Sequence, residues 1–232
     1  MADDISYNIY GDDIQVVEII LEEGEGVRAE IGTMMYMDMD IKMNTGTGGG
    51  FMSGLKRKIT GESFFITRYT NEGSSSQRVA FAAPYPGKII PLDLGAVGGR
   101  FFCQRDAYLC SAVGIEVNVA FTKKIGAGFF GGEGFILQEL KGDGLAFVHA
   151  GGTFVEHNLK SGEVLRVDTG CLTAFAESVS YDVKFIGGIK NTLFGGEGLF
   201  LTTLTGPGKV YLQSLPFSRM AGRITASWNS DV

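Results

Sequence analysis

The sequence predicts an all-β fold: a single pseudo-threefold β-sandwich, or double-stranded β-helix-like body, built from three internal repeats with little helix. Three observations predict it. Apolar and polar residues alternate with period two through MMYMDMDIKM (34–43), GIEVNVAF (114–121), FILQELKGDGLAFV (135–148) and SYDVKFIG (180–187). The turn signals NEGS, KGDG, KSGE and TGPG punctuate these runs, and D-G and P-G steps fit tight hairpins. Finally, 35 of the 232 residues are glycine. That is about twice the usual share of ~7%, and it is dispersed as GG, GxG and GE steps that suit many strands joined by close turns.

The elements recur in order. LEEGEGVRAEIG (21–32) aligns without gaps on LKSGEVLRVDTG (159–170), with Leu21/Leu159, Gly24/Gly162, Glu25/Glu163, Arg28/Arg166 and Gly32/Gly170 identical. A third copy of the following strand lies in CQRDAYLCSAVGIEVNV (103–119), setting Tyr108 against Met34 and Leu172. Then come TGESFFITRY (60–69), GGEGFILQEL (131–140) and GGEGLFLTTL (195–204), with Glu62, Glu133 and Glu197 in register. Each leads into a further apolar strand: VAFAAP, LAFVHAGG or KVYLQSLP. Such units cannot bury an apolar face alone. The expectation is therefore one domain, 1–232, with units of roughly 15–85, 86–152 and 153–224. The first strand, near IQVVEIIL, is expected to pair with the last unit. Core packing is the expected role of the methionine-rich run, with Met35, Met37 and Met39 on one face and Met34 and Tyr36 on the other. The only helical turn expected is a short one in FMSGLKRKI (51–59).

Composition excludes several functions. A formal net charge of −6 offers no global field for nucleic acid. No apolar run reaches the ~18 residues of a spanning helix, and the acidic start MADDISYNIYGDD has no basic n-region. A cytoplasmic location is expected. Three cysteines, Cys103, Cys110 and Cys171, form no CxxC and read as free thiols, although Cys103 and Cys110 flank QRDA and a hairpin could bring them together.

The GGEG loops are not phosphate cradles. A P-loop needs lysine and Ser/Thr after its glycines, and a dinucleotide fingerprint needs a following helix; here a strand follows. The first reading is a turn whose glutamate accepts backbone N–H bonds. The alternative brings Glu62, Glu133 and Glu197 together as a cation site, since hard cations want several oxygens. With only His149 and His157 present, no zinc spacing exists, and no Ser–His–acid, Cys–His–acid or GxSxG set can be assembled. No enzyme and no cofactor is expected. A possible contact loop is GGGFMSGLKRKI (48–59), where Lys56, Arg57 and Lys58 adjoin Phe51, Met52 and Leu55 and suit anionic lipid or an acidic partner.

Taken in order, FFGGEGFILQELKGDGLAFVHAGGTF, LKSGEVLRVDTGCLTAF and LFGGEGLFLTTLTGPGKVYLQSLPFSRMAGRI resemble the altered inheritance of mitochondria protein twenty-four family over nearly the whole chain. The resemblance implies an all-β, pseudo-symmetric sandwich grouped with tryptophan RNA-binding attenuation protein-like (TRAP-like) structures. That grouping carries no RNA binding with it. Fungal members are mitochondrial and linked to inner-membrane organisation, whereas this chain, without an Arg/Ser-rich transit segment, reads as a bacterial or archaeal cytoplasmic member. The family supplies no catalytic residues to carry over. A self-associating scaffold or binding protein, a homo-oligomer with an unidentified protein partner, is the leading expectation. Peripheral membrane association through 48–59 and a ligand or cation site at the three glutamates are the alternatives.

Overall fold

The computed structural model describes residues 1–47, 65–123, 135–185 and 200–230. Among these, nineteen strands and one helix are seen, so the all-β expectation holds. The strands are β1 (Ser6–Tyr10), β2 (Val16–Leu21), β3 (Gly26–Glu30), β4 (Met34–Met37), β5 (Ile41–Thr47), β6 (Phe65–Asn71), β7 (Gln77–Ala82) and β8 (Gly87–Asp93). They continue as β9 (Arg100–Gln104), β10 (Tyr108–Ala112), β11 (Glu116–Lys123), β12 (Phe135–Lys141), β13 (Leu145–Gly151) and β14 (Phe154–Leu159). The last are β15 (Val164–Asp168), β16 (Leu172–Ala176), β17 (Ser180–Phe185), β18 (Phe200–Thr205) and β19 (Gly208–Gln213), before helix α1 (Phe217–Ser230).

All pairing is antiparallel, in four sheets: A (β1-β2-β7-β4), B (β5-β6-β3-β10-β13-β8), C (β11-β12-β9-β16-β19-β14) and D (β15-β18-β17). One scheme recurs. The trio β5-β6-β3 matches β11-β12-β9 and β17-β18-β15, and β4-β7-β2 matches β10-β13-β8 and β16-β19-β14. A bulge falls at the same place each time, between Met34/Tyr36, Tyr108/Cys110 and Leu172/Ala174. Two seams join successive trios: β3 with β10 and β9 with β16.

Burial follows the alternation. One cluster joins sheets A, B and C through Val17, Ile19, Phe81, Val27, Ala29, Phe147, Phe101 and Leu140. The other joins C and D through Phe135, Leu137, Phe175, Val210, Val167 and Leu204. Sheet C thus covers both of its faces, which is why β16 is buried at every residue.

Three expectations need correction. β2 pairs with β1 and β7 of its own unit, not with the last one, because its hairpin partner lies next to it in the chain. The methionine run does not supply core: Met35, Met37, Met39 and Met43 are exposed and Met34 alone packs partly inward. The cause is that β4 forms the edge of sheet A, with a neighbour on one side only among the described residues. Helix α1 was not expected at all. Its apolar residues Phe217, Met220 and Ile224 do keep helical spacing, but Gly222 and the β-branched Thr225 weaken the local signal. Cys103 and Cys110 are buried thiols, and Cys171 is half-buried beside Arg219.

Candidate functional site

Glu62, Glu133 and Glu197, together with the 48–59 loop bearing Phe51, Met52, Leu55, Lys56, Arg57 and Lys58, lie outside the described residues. The hairpins that carry them are described up to their last pairs, Thr47↔Phe65, Lys123↔Phe135 and Phe185↔Phe200. Among the described residues no three metal-ligating side chains gather.

The glutamate role foreseen for those loops is played by another repeated glutamate. Glu25 Oε2 accepts from the Glu22 N–H at 2.8 Å, and Glu163 Oε2 accepts from the Lys160 N–H at 2.8 Å. Gly24 (φ 81°) and Gly162 (φ 75°) sit at the same corner, each donating to the hairpin opposite, at Asn71 O and Gly206 O. Only a residue without Cβ takes that conformation at no cost.

Chemistry-bearing side chains gather in two places. The first is interior. His149, on β13, is 2% exposed, and neither ring nitrogen has a hydrogen-bond partner among the described residues. Tyr85 stands edge-on to it at 4.5 Å between centroids and stacks in turn on Phe217 of α1 at 5.4 Å. Gly87 leaves the room: a Cβ there would lie 2.4 Å from His149 Nε2. Burial pulls the imidazole down to about 4. Glu30, ending β3, moves the other way, up to about 7, by burial and then by the Asp106 carboxylate, with Arg105 opposing. At neutral pH His149 is uncharged, whereas Glu30 is poised at its midpoint. Tyr85 and Gly87 pack against the buried imidazole.

The second place is the outer side of sheet A, leading to its edge. Glu18, on β2, is 4% exposed yet ionised, because Tyr36 Oη donates to its Oε2 (2.5 Å), Tyr10 Oη to its Oε1 (3.0 Å) and Asn8 Nδ2 to its Oε1 (3.4 Å). These bonds, the Tyr36 one foremost, hold its carboxyl below the usual range against the cost of burial, and push the Tyr36 phenol up to about 12. Arg78, on β7, approaches Glu18 at 3.9 Å and grips Asp38 by Nε (3.1 Å) and Nη2 (3.3 Å), while its own N–H donates to Asp38 Oδ2 (2.9 Å). Tyr36 and Asp38 flank the end of β4, so the network fixes the edge strand in place. Beside it stand exposed Ile31, Met35, Met37 and Met39.

Sheet D ends in a matching edge. β15 pairs with β18 alone among the described residues, and its Val164 and Arg166 are exposed. Its neighbour α1 touches it where Arg219 Nη2 meets Asp168 Oδ2 at 3.3 Å. Neither edge was foreseen, because a strand's lack of a second neighbour leaves no local mark. The one available signal was that the methionine run carries apolar residues on both faces.

The chain is 29% identical over 217 residues to an uncharacterized protein of Streptococcus pyogenes serotype M6, covering 90% of this chain and 85% of that one. A crystal structure of a Streptococcus pyogenes protein superposes with a TM-score of 0.78 at 25% identity, covering 96% of this chain and 99% of the other. Family resemblance and fold therefore agree along the chain. The family model described as Mitochondrial biogenesis AIM24 matches residues 7–215, and the chain belongs to that family.

Proposed function

We propose that the protein is a non-catalytic, self-associating scaffold or binding module, built as a pseudo-threefold body from three sandwich units. The observation that carries this reading is the apolar edge of sheet A. Met35 and Met37 are 60% and 38% exposed on a strand with one neighbour among the described residues, and Ile31 and Met39, in the turns before and after it, are 56% and 96% exposed. Exposed edges with apolar side chains invite pairing with another chain, and natural sheets otherwise guard them with charge, proline or cover. Methionine's flexible thioether suits an adaptable contact. The test is sedimentation across a concentration series. The wild type sediments as more than one chain, and Met35→Lys with Met37→Lys shifts it toward a single chain with unchanged circular dichroism. A wild type that stays a single chain at every concentration removes the reading.

A second reading, peripheral contact with an anionic membrane, is favoured by helix α1. It carries Arg219 and Arg223, no acidic residue, and an apolar stripe whose Phe217 and Ile224 are 50% and 60% exposed. That combination is the mark of helices that lie in a lipid interface. No described helix is long and apolar enough to cross a membrane.

A further inference from the structure

We propose that β4 of one copy receives β15 of a second copy, forming between molecules the seam that the chain forms twice within itself. This rests on the self-association reading and specifies its surface.

The two internal seams define the template. In one, Cys110↔Ala29, Ser111↔Arg28 and Ala112↔Val27 pair; in the other, Ala174↔Cys103, Phe175↔Phe102 and Ala176↔Phe101. In each, a bulged strand from one unit meets, in the unit before it, the strand that comes first in the chain within the trio β5-β6-β3 or β11-β12-β9. β4 is the remaining bulged strand and β15 the remaining first strand, and neither has a second neighbour among the described residues. Position by position, Tyr36 and Met37 stand where Cys110 and Ser111 stand, because they oppose Ala80 and Val79 on β7 as those oppose Phe147 and Ala146 on β13. On the other strand, Arg166 and Val167 stand where Arg28 and Ala29 stand, opposing Thr203 and Thr202 on β18 as those oppose Arg68 and Thr67 on β6. The seam therefore sets Tyr36 against Val167 and Met37 against Arg166.

Burial shows what is missing. The bulged strands in made seams, β10 and β16, are buried throughout, whereas β4 is exposed at Met35, Tyr36 and Met37. Arg166 carries the most specific sign. Its counterpart Arg28 reaches across its seam to donate from Nη1 to Ile115 O at 3.5 Å. Ile115 follows a tight turn closed by its N–H on Ala112 O, and Ile41 follows the same turn closed on Asp38 O. Arg166 thus has a waiting acceptor in Ile41 O beside β4. In the chain itself it is exposed and makes no ion pair among the described residues. One molecule presents both halves of the seam, and two different, complementary patches on one molecule join copies head to tail.

Cross-linking tests this. Met37→Cys and Arg166→Cys are placed in separate chains, each with Cys171→Ser, and then mixed and oxidised. A disulfide-linked pair of chains is expected from that mixture, and none when Val119→Cys replaces Met37→Cys. Separately, Arg166→Ala should weaken assembly roughly tenfold or more, as loss of a charged hydrogen bond does. If the wild type assembles but the mixture does not cross-link, this seam is overturned and self-association stands. If Met37→Cys and Arg166→Cys in one chain join within that chain, the seam closes intramolecularly and the proposal is likewise overturned. A wild type that never assembles sinks both.

Discussion

His149 and Glu30 are ionisable side chains that the fold moves in opposite directions, and their titration can be worked out residue by residue. Burial lowers the folded His149 from 6.5 to about 4, so the unfolded chain takes up a proton first as pH falls. Its contribution is whole above pH 6.5 and is lost between 6.5 and about 4, to the extent of about 3 kcal/mol. Glu30 is raised from 4.5 to about 7, so the folded chain holds the extra proton and stability falls as pH rises from 4.5 to 7. Between pH 4.5 and 6.5 the two slopes oppose. His149→Leu should then leave a stability that declines with rising pH relative to wild type, and Glu30→Gln one that climbs. Thermal midpoints at pH 4.5, 5.5 and 6.5 check both, and parallel curves for all three proteins would refute the assignment. The corner glycines allow a second test. Gly24→Ala and Gly162→Ala force a Cβ into positive φ and should each cost about 1 kcal/mol, measured by urea denaturation.

At the scale of elements, legibility depended on whether the cause was local. The repeated turns were readable because Gly24–Glu25 and Gly162–Glu163 carry their own geometry in adjacent residues. Strand periodicity was equally local: β4, β12 and β17 fall within the alternating runs, and β5, β11 and β13 overlap them. What failed was set by distant neighbours. β4 looks like core because its side chains are apolar, and the lack of a second strand beside it among the described residues leaves them exposed. His149 is buried because Tyr85 and Gly87, some sixty residues earlier, close over it. Among the described residues, helix α1 meets the sheets at its first turn, through Phe217 on Tyr85 and Arg219 on Asp168 and Cys171 Sγ. Removing residues 217–232 should therefore leave the sheets folded and cost only about 1 kcal/mol, since the ion pair is partly solvated. If the helix is the membrane contact, the wild type floats with anionic vesicles and the truncated chain does not; a wild type that stays unbound disposes of that reading.

Across the whole molecule, two apolar clusters meet at sheet C, and they are unequal. The first spans three sheets, while the second holds sheet D through one face, with Val167, Val183 and Leu204 packed on Phe135, Leu137 and Phe175. Among the described residues, sheet D has three strands and β15 has no neighbour beyond β18. Local opening should thus begin there, because releasing it exposes one cluster and leaves the other closed. Amide exchange under native conditions is expected to be faster in β15, β17 and β18 than in β3, β10 and β13. Leu204, fully buried, is the lever. Leu204→Ala should cost about 2–5 kcal/mol as a core truncation and accelerate exchange in sheet D while β3 and β10 keep their wild-type protection. Were the seam to β4 of a second copy to form, raising the protein concentration would slow exchange in β15 and β4 and in no strand of sheet C. Uniform acceleration of every strand by Leu204→Ala would instead show one cooperative body, in which the two clusters unfold as one.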